Sequence, residues 1–156
     1  MKNRIIFSLV FCLIFCFSAC AVSQETYQFN GQGLPIISDN LRSKINTALT
    51  EKDPLMYFWG IENTWGTAEK NEPIRYYGHF EGYDIVFYHE GKQVCITGGL
   101  TIAGIPFSYS SPFAIVGYKD GILYDLNELY KEGKISIETI RALYQYHQLY
   151  DTLPRE

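Results

Sequence analysis

Hydrophobic and polar residues divide the 156-residue chain into a leader and a patterned remainder. Residues 5–17 are apolar apart from Ser8 and follow the basic start Met1-Lys2-Asn3-Arg4. A run of thirteen residues falls short of the ~20 that span a bilayer as a helix, so it reads as a secretory signal removed on export. Past residue 37 the spacing becomes structural. Ser38-Asp39 precedes Leu41, Ile45, Ala48 and Leu49, which predicts a capped helix with one apolar face. It should stop before Asp53-Pro54, because proline disfavours a helical residue ahead of it. From Ile74 the period approaches two. Strands are expected at 74–80, 83–89, 92–100, 105–109, 113–118 and 122–124, with Lys119-Asp120-Gly121 as a tight turn before the last. A two-residue turn at Glu90-Gly91 would set Phe87 opposite Val94 and Ile85 opposite Ile96. Asp125 or Asn127 caps a short helix ended by Gly133. Ser136 caps a last one, with Ile137, Ile140, Tyr144 and His147 at helical spacing.

Strands in runs, without a helix between each, predict an α+β fold. The expectation is an antiparallel β-meander of about five to six strands, with one N-terminal helix and two short C-terminal helices packed on one face. The expected organisation is a signal peptide at 1–20, a flexible tether at 21–37 and a single α+β domain at 38–156.

The leader can be cut in two ways. Phe17-Ser18-Ala19-Cys20 resembles the bacterial lipobox, in which a cysteine after small residues becomes the acylated first residue; Phe17 stands where leucine is usual. Ala19-Cys20-Ala21 also fits ordinary signal peptidase. We favour lipidation of Cys20 and attachment to the cell envelope, the alternative being a secreted or periplasmic soluble protein released after Ala21.

Charge and cysteines narrow the partners. The leader holds Lys2 and Arg4 and no acid, so the rest carries eleven basic against seventeen acidic side chains, a balance of −6. That argues against nucleic acid and against a polybasic grip on anionic lipid. The membrane contact expected is the lipid on Cys20. With Cys12, Cys16 and Cys20 in the leader region, Cys95 is the one certain mature thiol, so no disulfide framework is expected. Thirteen Tyr and ten Phe supply the core instead.

Tyr76-Tyr77-Gly78 with Gly82-Tyr83, Gly104-Ile105-Pro106-Phe107 and the run YKDGILYDLNELYKEGKIS at 118–136 carry a likeness to known proteins. Over about residues 74–147 the chain resembles an uncharacterised family of small exported bacterial proteins and lipoproteins. These are turn, cap and core residues, so the resemblance implies a shared fold and brings no functional residue.

The candidate chemistry is sparse. Cys95 would need a base from His79 or His89 to act as a nucleophile; flanked by Val94 and Ile96, it reads as a small buried hydrophobe. His79, Glu81, Asp84 and His89 combine ligand types that suit Zn²⁺, yet their spacing is that of turn and strand residues, and no metal or cofactor is expected. His147 reads as a hydrogen-bonded histidine at the core edge. GGLTIAG at 98–104 lacks the ending of a phosphate loop. The stretch YFWGIENTWG at 57–66 is the best lead, because Tyr57, Trp59 and Trp65 on an irregular segment would offer aromatic faces to a protein or a cell-wall sugar. Glu62 and Glu69 nearby have no cleft to make them a glycosidase pair. The expectation is a non-enzymatic envelope binding module. The alternatives are a thiol- or histidine-dependent enzyme using Cys95 and a small acidic inhibitor or immunity-type protein.

Overall fold

The structure, a computed structural model, describes residues 33–54, 74–91, 99–109 and 113–152. Helix α1, Asp39–Lys52, begins at Ser38, whose Oγ accepts the Leu41 N–H at 3.3 Å. It closes at Asp53, as the following proline requires. Asp53 is 3% exposed and its Oδ2 accepts the Gly91 N–H at 2.8 Å, which ties the helix end to the end of the second strand.

Strands β1 (Ile74–Phe80) and β2 (Tyr83–His89) fall where the period-two pattern puts them. They are followed by β3 (Thr101–Ile102), β4 (Ile105–Pro106), β5 (Phe113–Lys119) and β6 (Ile122–Asp125). Helices α2 (Leu126–Lys131) and α3 (Ile137–Thr152) complete the order. β1-β2-β5-β6 form one antiparallel sheet, and β3-β4 form a separate two-stranded one. The fold is α+β, as expected. The turns at Glu81-Gly82, Ala103-Gly104 and Asp120-Gly121 have positive φ at both central residues, the geometry that matches strand twist in two-residue hairpins. Asp125 caps α2 through the Asn127 and Glu128 N–H groups, and Ser136 Oγ accepts the Thr139 N–H.

Two expectations are corrected. The β2 strand does not pair with 92–100 through Phe87 and Val94. Phe87 lies between Arg75 of β1 and Ile115 of β5, and both edges of β2 are taken. The apolar strand FAIVGY wins that edge, since it buries side chains on both faces. The second correction concerns layering. Helices cover both faces of the sheet rather than one. Ile45, Ala48 and Leu49 of α1 pack on Ile74, Tyr76, Val86, Tyr88, Val116 and Tyr118. On the opposite face, Leu126 and Leu129 of α2 and Ile140, Leu143 and Tyr150 of α3 join Tyr77, Ile85, Phe87 and Ile115, with Ile102 and Phe107 from the small hairpin. Residues Ile85 to Tyr88 are buried in succession, which only a sheet covered on both faces can provide.

One irregularity sets where β1 aims its side chains. The register runs Tyr76↔Val86 and then Gly78↔Ile85, leaving Tyr77 as an extra residue in a β-bulge. Gly78 carries φ +108, a conformation glycine adopts without a Cβ penalty. Without the extra residue, His79 would fall on the α3 face. With it, His79 stands opposite Asp84 on the α1 face, and Phe80 packs against the α3-side core.

Candidate functional site

Polar side chains gather at two places, one on each face of the bulged strand. On the α3 face, β1 presents Arg75 and Tyr77 to His147, Tyr150 and Asp151. The Tyr77 Oη lies 2.6 Å from His147 Nδ1, and Arg75 Nη1 lies 2.8 Å from Asp151 Oδ1. His147 Nε2 is 3.5 Å from Asp151 Oδ2, and the Tyr150 hydroxyl donates to the Tyr76 carbonyl at 3.1 Å. Aromatic rings enclose the imidazole: Phe87 at 5.1 Å and Phe107 at 5.5 Å meet it edge-on, and Tyr144 stacks at 6.3 Å. The Arg75 guanidinium lies 5.5 Å from the Phe87 ring and 5.2 Å from that of Tyr150, within cation–π range.

Burial governs the chemistry of this group. It pushes the Tyr77 phenol well above its ordinary range, against the opposing pull of Arg75. It also lowers the proton affinity of His147; the Asp151 carboxylate opposes that, Arg75 adds to it, and a hydrogen bond to the Phe107 backbone opposes it. The Tyr77 hydroxyl and His147 Nδ1 share a hydrogen bond whose direction is set by the tautomer of the ring. Tyr77 is 0% and His147 7% exposed, so the group clamps the end of α3 to the sheet. The expected core-edge histidine is confirmed.

On the α1 face an open cleft of about 270 Å³ lies between α1 and the adjacent β1–β2 and β5–β6 turns. Leu41, Lys44, His79, Gly82, Asp84, Tyr118, Lys119 and Asp120 line it. The Tyr76 hydroxyl donates to Asp84 Oδ1 at 2.8 Å, and His79 Nδ1 lies 3.2 Å from the same oxygen. The His79 side chain is 32% and that of Asp84 17% exposed. One carboxylate thus orients one imidazole at the cleft wall, an arrangement able to hold or pass a proton. Lys119, which also lines the cleft, holds its Nζ 5.2 Å over the Tyr83 ring.

The four residues considered as zinc ligands separate. His79 and Asp84 meet. Glu81 Oε2 accepts the Ser136 N–H at 2.8 Å, capping the start of α3, and His89 lies at the far end of β2, edge-on to Phe113 at 5.0 Å. Among the described residues no group of three or more His, Cys, Asp or Glu is placed to hold a metal. Tyr57, Trp59, Trp65, Glu62, Glu69, Cys20 and Cys95 lie outside the described residues. Sequence reasoning missed Arg75, Tyr77 and Asp151. Two signals pointed to them: the four-residue spacing of His147 and Asp151, and a lone arginine between apolar positions of β1.

No protein-family model, curated protein or solved structure matches the chain. Among the described residues no helix is long and apolar enough to cross a membrane.

Proposed function

We propose that the protein is exported, held in the cell envelope by a lipid on Cys20, and acts there as a non-enzymatic binding module for a protein or cell-wall partner. The observation that carries this reading is the leader: a basic start, a thirteen-residue run that is apolar apart from Ser8, and Ser18-Ala19-Cys20, followed by a polar stretch ahead of the folded domain. The structural duties of the polar groups support a binding role. Asp53 ties α1 to Gly91, Glu81 caps α3, and His147 is enclosed in the core. The partner surface in this reading is the aromatic stretch with Tyr57, Trp59 and Trp65.

Detergent-phase partitioning of the protein from its host tests the anchor. The wild type enters the detergent phase, and Cys20→Ser enters the aqueous phase. If both partition alike, the anchor is refuted. For the binding role, Trp59→Ala and Trp65→Ala should abolish capture of a wall or envelope fraction with the melting temperature unchanged. Loss of stability together with unaltered capture would assign both Trp to the core.

One observation favours a second reading, a histidine-dependent enzyme. His79 and Asp84 form an oriented acid–base pair at the cleft wall. Its signature would be a turnover lost in His79→Gln and Asp84→Asn and retained when Cys95 is blocked.

A further inference from the structure

The cleft on the α1 face carries more charge than the fold uses. Two ammonium groups and two carboxylates converge on it from separate elements: Lys44 on α1, Asp84 on β2, Lys119 at the end of β5 and Asp120 in the β5–β6 turn. Exposed lysines elsewhere reach a neighbouring acid, Lys131 meeting Glu128 at 2.7 Å and Lys134 meeting Glu132 at 2.6 Å. Among the described residues, none of Lys44, Lys119 and Asp120 closes an ion pair. Two of the four charges are fixed by other contacts. Asp84 Oδ1 takes the Tyr76 hydroxyl and faces the His79 imidazole, which the bulge at Tyr77 brings to this wall. Lys119 Nζ lies over the Tyr83 ring and 3.7 Å from where a Cβ on Gly82 would stand. Charges of both signs are thus held at one cleft while lysine and aspartate stay unpaired with each other.

The lining also limits the occupant. About 270 Å³ falls below the ~300–1,000 Å³ of sites for drug-sized ligands, so the ligand is small. Two lysines against two aspartates sum to zero, and a singly charged ligand would leave one sign unanswered. Leu41 and Tyr118 add an apolar wall. We propose that the cleft binds a free α-amino acid with a small apolar side chain. Lys44 and Lys119 take its carboxylate, Asp84 and Asp120 take its ammonium group, and its side chain lies against Leu41 and Tyr118. The site is separate from the aromatic stretch of the binding reading and needs no turnover, so its test leaves that reading untouched.

The test is a titration of the full mature chain with L-leucine, followed by calorimetry and by NMR of the His79 ring and the α1 amides. 4-Methylpentanoate, which is leucine without its ammonium group, and 3-methylbutylamine, which is leucine without its carboxylate, serve as single-charge comparisons. Leucine should shift the His79 ring and the Lys44 amide, and each comparison compound should bind at least about tenfold more weakly, the loss of one charge-assisted contact. Lys44→Gln and Asp120→Asn should each weaken leucine by a similar factor at unchanged melting temperature; asparagine tolerates the φ of 51 at that position. Lys131→Gln, outside the cleft, should bind leucine as the wild type does. Three results would overturn the site: no heat or shift at about 10 mM leucine, a comparison compound that binds as tightly as leucine, or full binding in both Lys44→Gln and Asp120→Asn. Should either cleft variant fail to fold, the comparison compounds on the wild type decide the matter.

Discussion

Replacing Gly78 by alanine tests the bulge that orients both polar sites. An added Cβ would lie 3.4 Å from Phe80 Cε2 and 3.7 Å from Pro35 Cβ, which is ordinary contact, so no clash enters the cost. What remains is conformational. Alanine at φ +108 occupies a region L-residues avoid, at about 1–3 kcal/mol. The chain has one escape, which is to expel the extra residue and restore a regular ladder. That would turn His79 to the α3 face, leave Asp84 without its imidazole, and take Phe80 off the core. Exposing the partly buried Phe80 costs up to about 1.5–3 kcal/mol, and the His79 and Tyr76 contacts of Asp84 are disturbed as well. Keeping the bulge is therefore the cheaper course. Gly78→Ala should lose about 2 kcal/mol, a fall of about 1 M in the urea midpoint at unchanged slope, and the His79 ring signal should stay in place. Gly121→Ala isolates the conformational cost, because its φ is +85 and its Cβ would meet nothing within 4 Å, so it should lose a comparable amount. A Gly78→Ala protein within about 0.5 kcal/mol of wild type would refute the reasoning.

Ile45→Ala, which empties a fully buried position of α1, should cost about 2–5 kcal/mol by chemical denaturation. Ser136→Ala removes the oxygen that accepts the Thr139 N–H and should cost about 1 kcal/mol, read as a lower thermal midpoint. Stability should also depend on pH through His147. Its folded proton affinity is lowered by burial, so the unfolded chain binds more protons below the ordinary imidazole value of about 6.5. Stability should thus be full above that value, fall as pH drops towards the folded value, and level off below it. His147→Gln should flatten that slope in denaturation curves taken between pH 7 and 5.

Local features of the fold were legible because they depend on neighbours in the chain. Ser38, Pro54, Asp125 and Ser136 mark helix ends through their own backbone preferences, and Asp120-Gly121 marks a turn the same way. Pairing was not legible. Two apolar strands competed for the edge of β2, and burial on both sheet faces, which FAIVGY supplies, decides between them only in three dimensions. A signal for two-sided coverage was present in the unbroken run Ile85-Val86-Phe87-Tyr88, which no half-exposed strand would carry. The bulge at Tyr77 escaped notice because Gly78 between two aromatics and a histidine reads equally as a weak strand residue. His147 was recognisable as a core histidine from its stripe. Its partner Tyr77 lies 70 residues earlier and meets it only through the packing of α3 on β1.

The proposed address rests on the fate of Cys20, and the intact mass of the mature protein from its own host's membrane and medium tests it most directly. A membrane-bound chain that begins at Cys20 and carries two or three acyl groups is the result expected. An unmodified chain beginning at Val22, recovered from the medium or the periplasm, would contradict it.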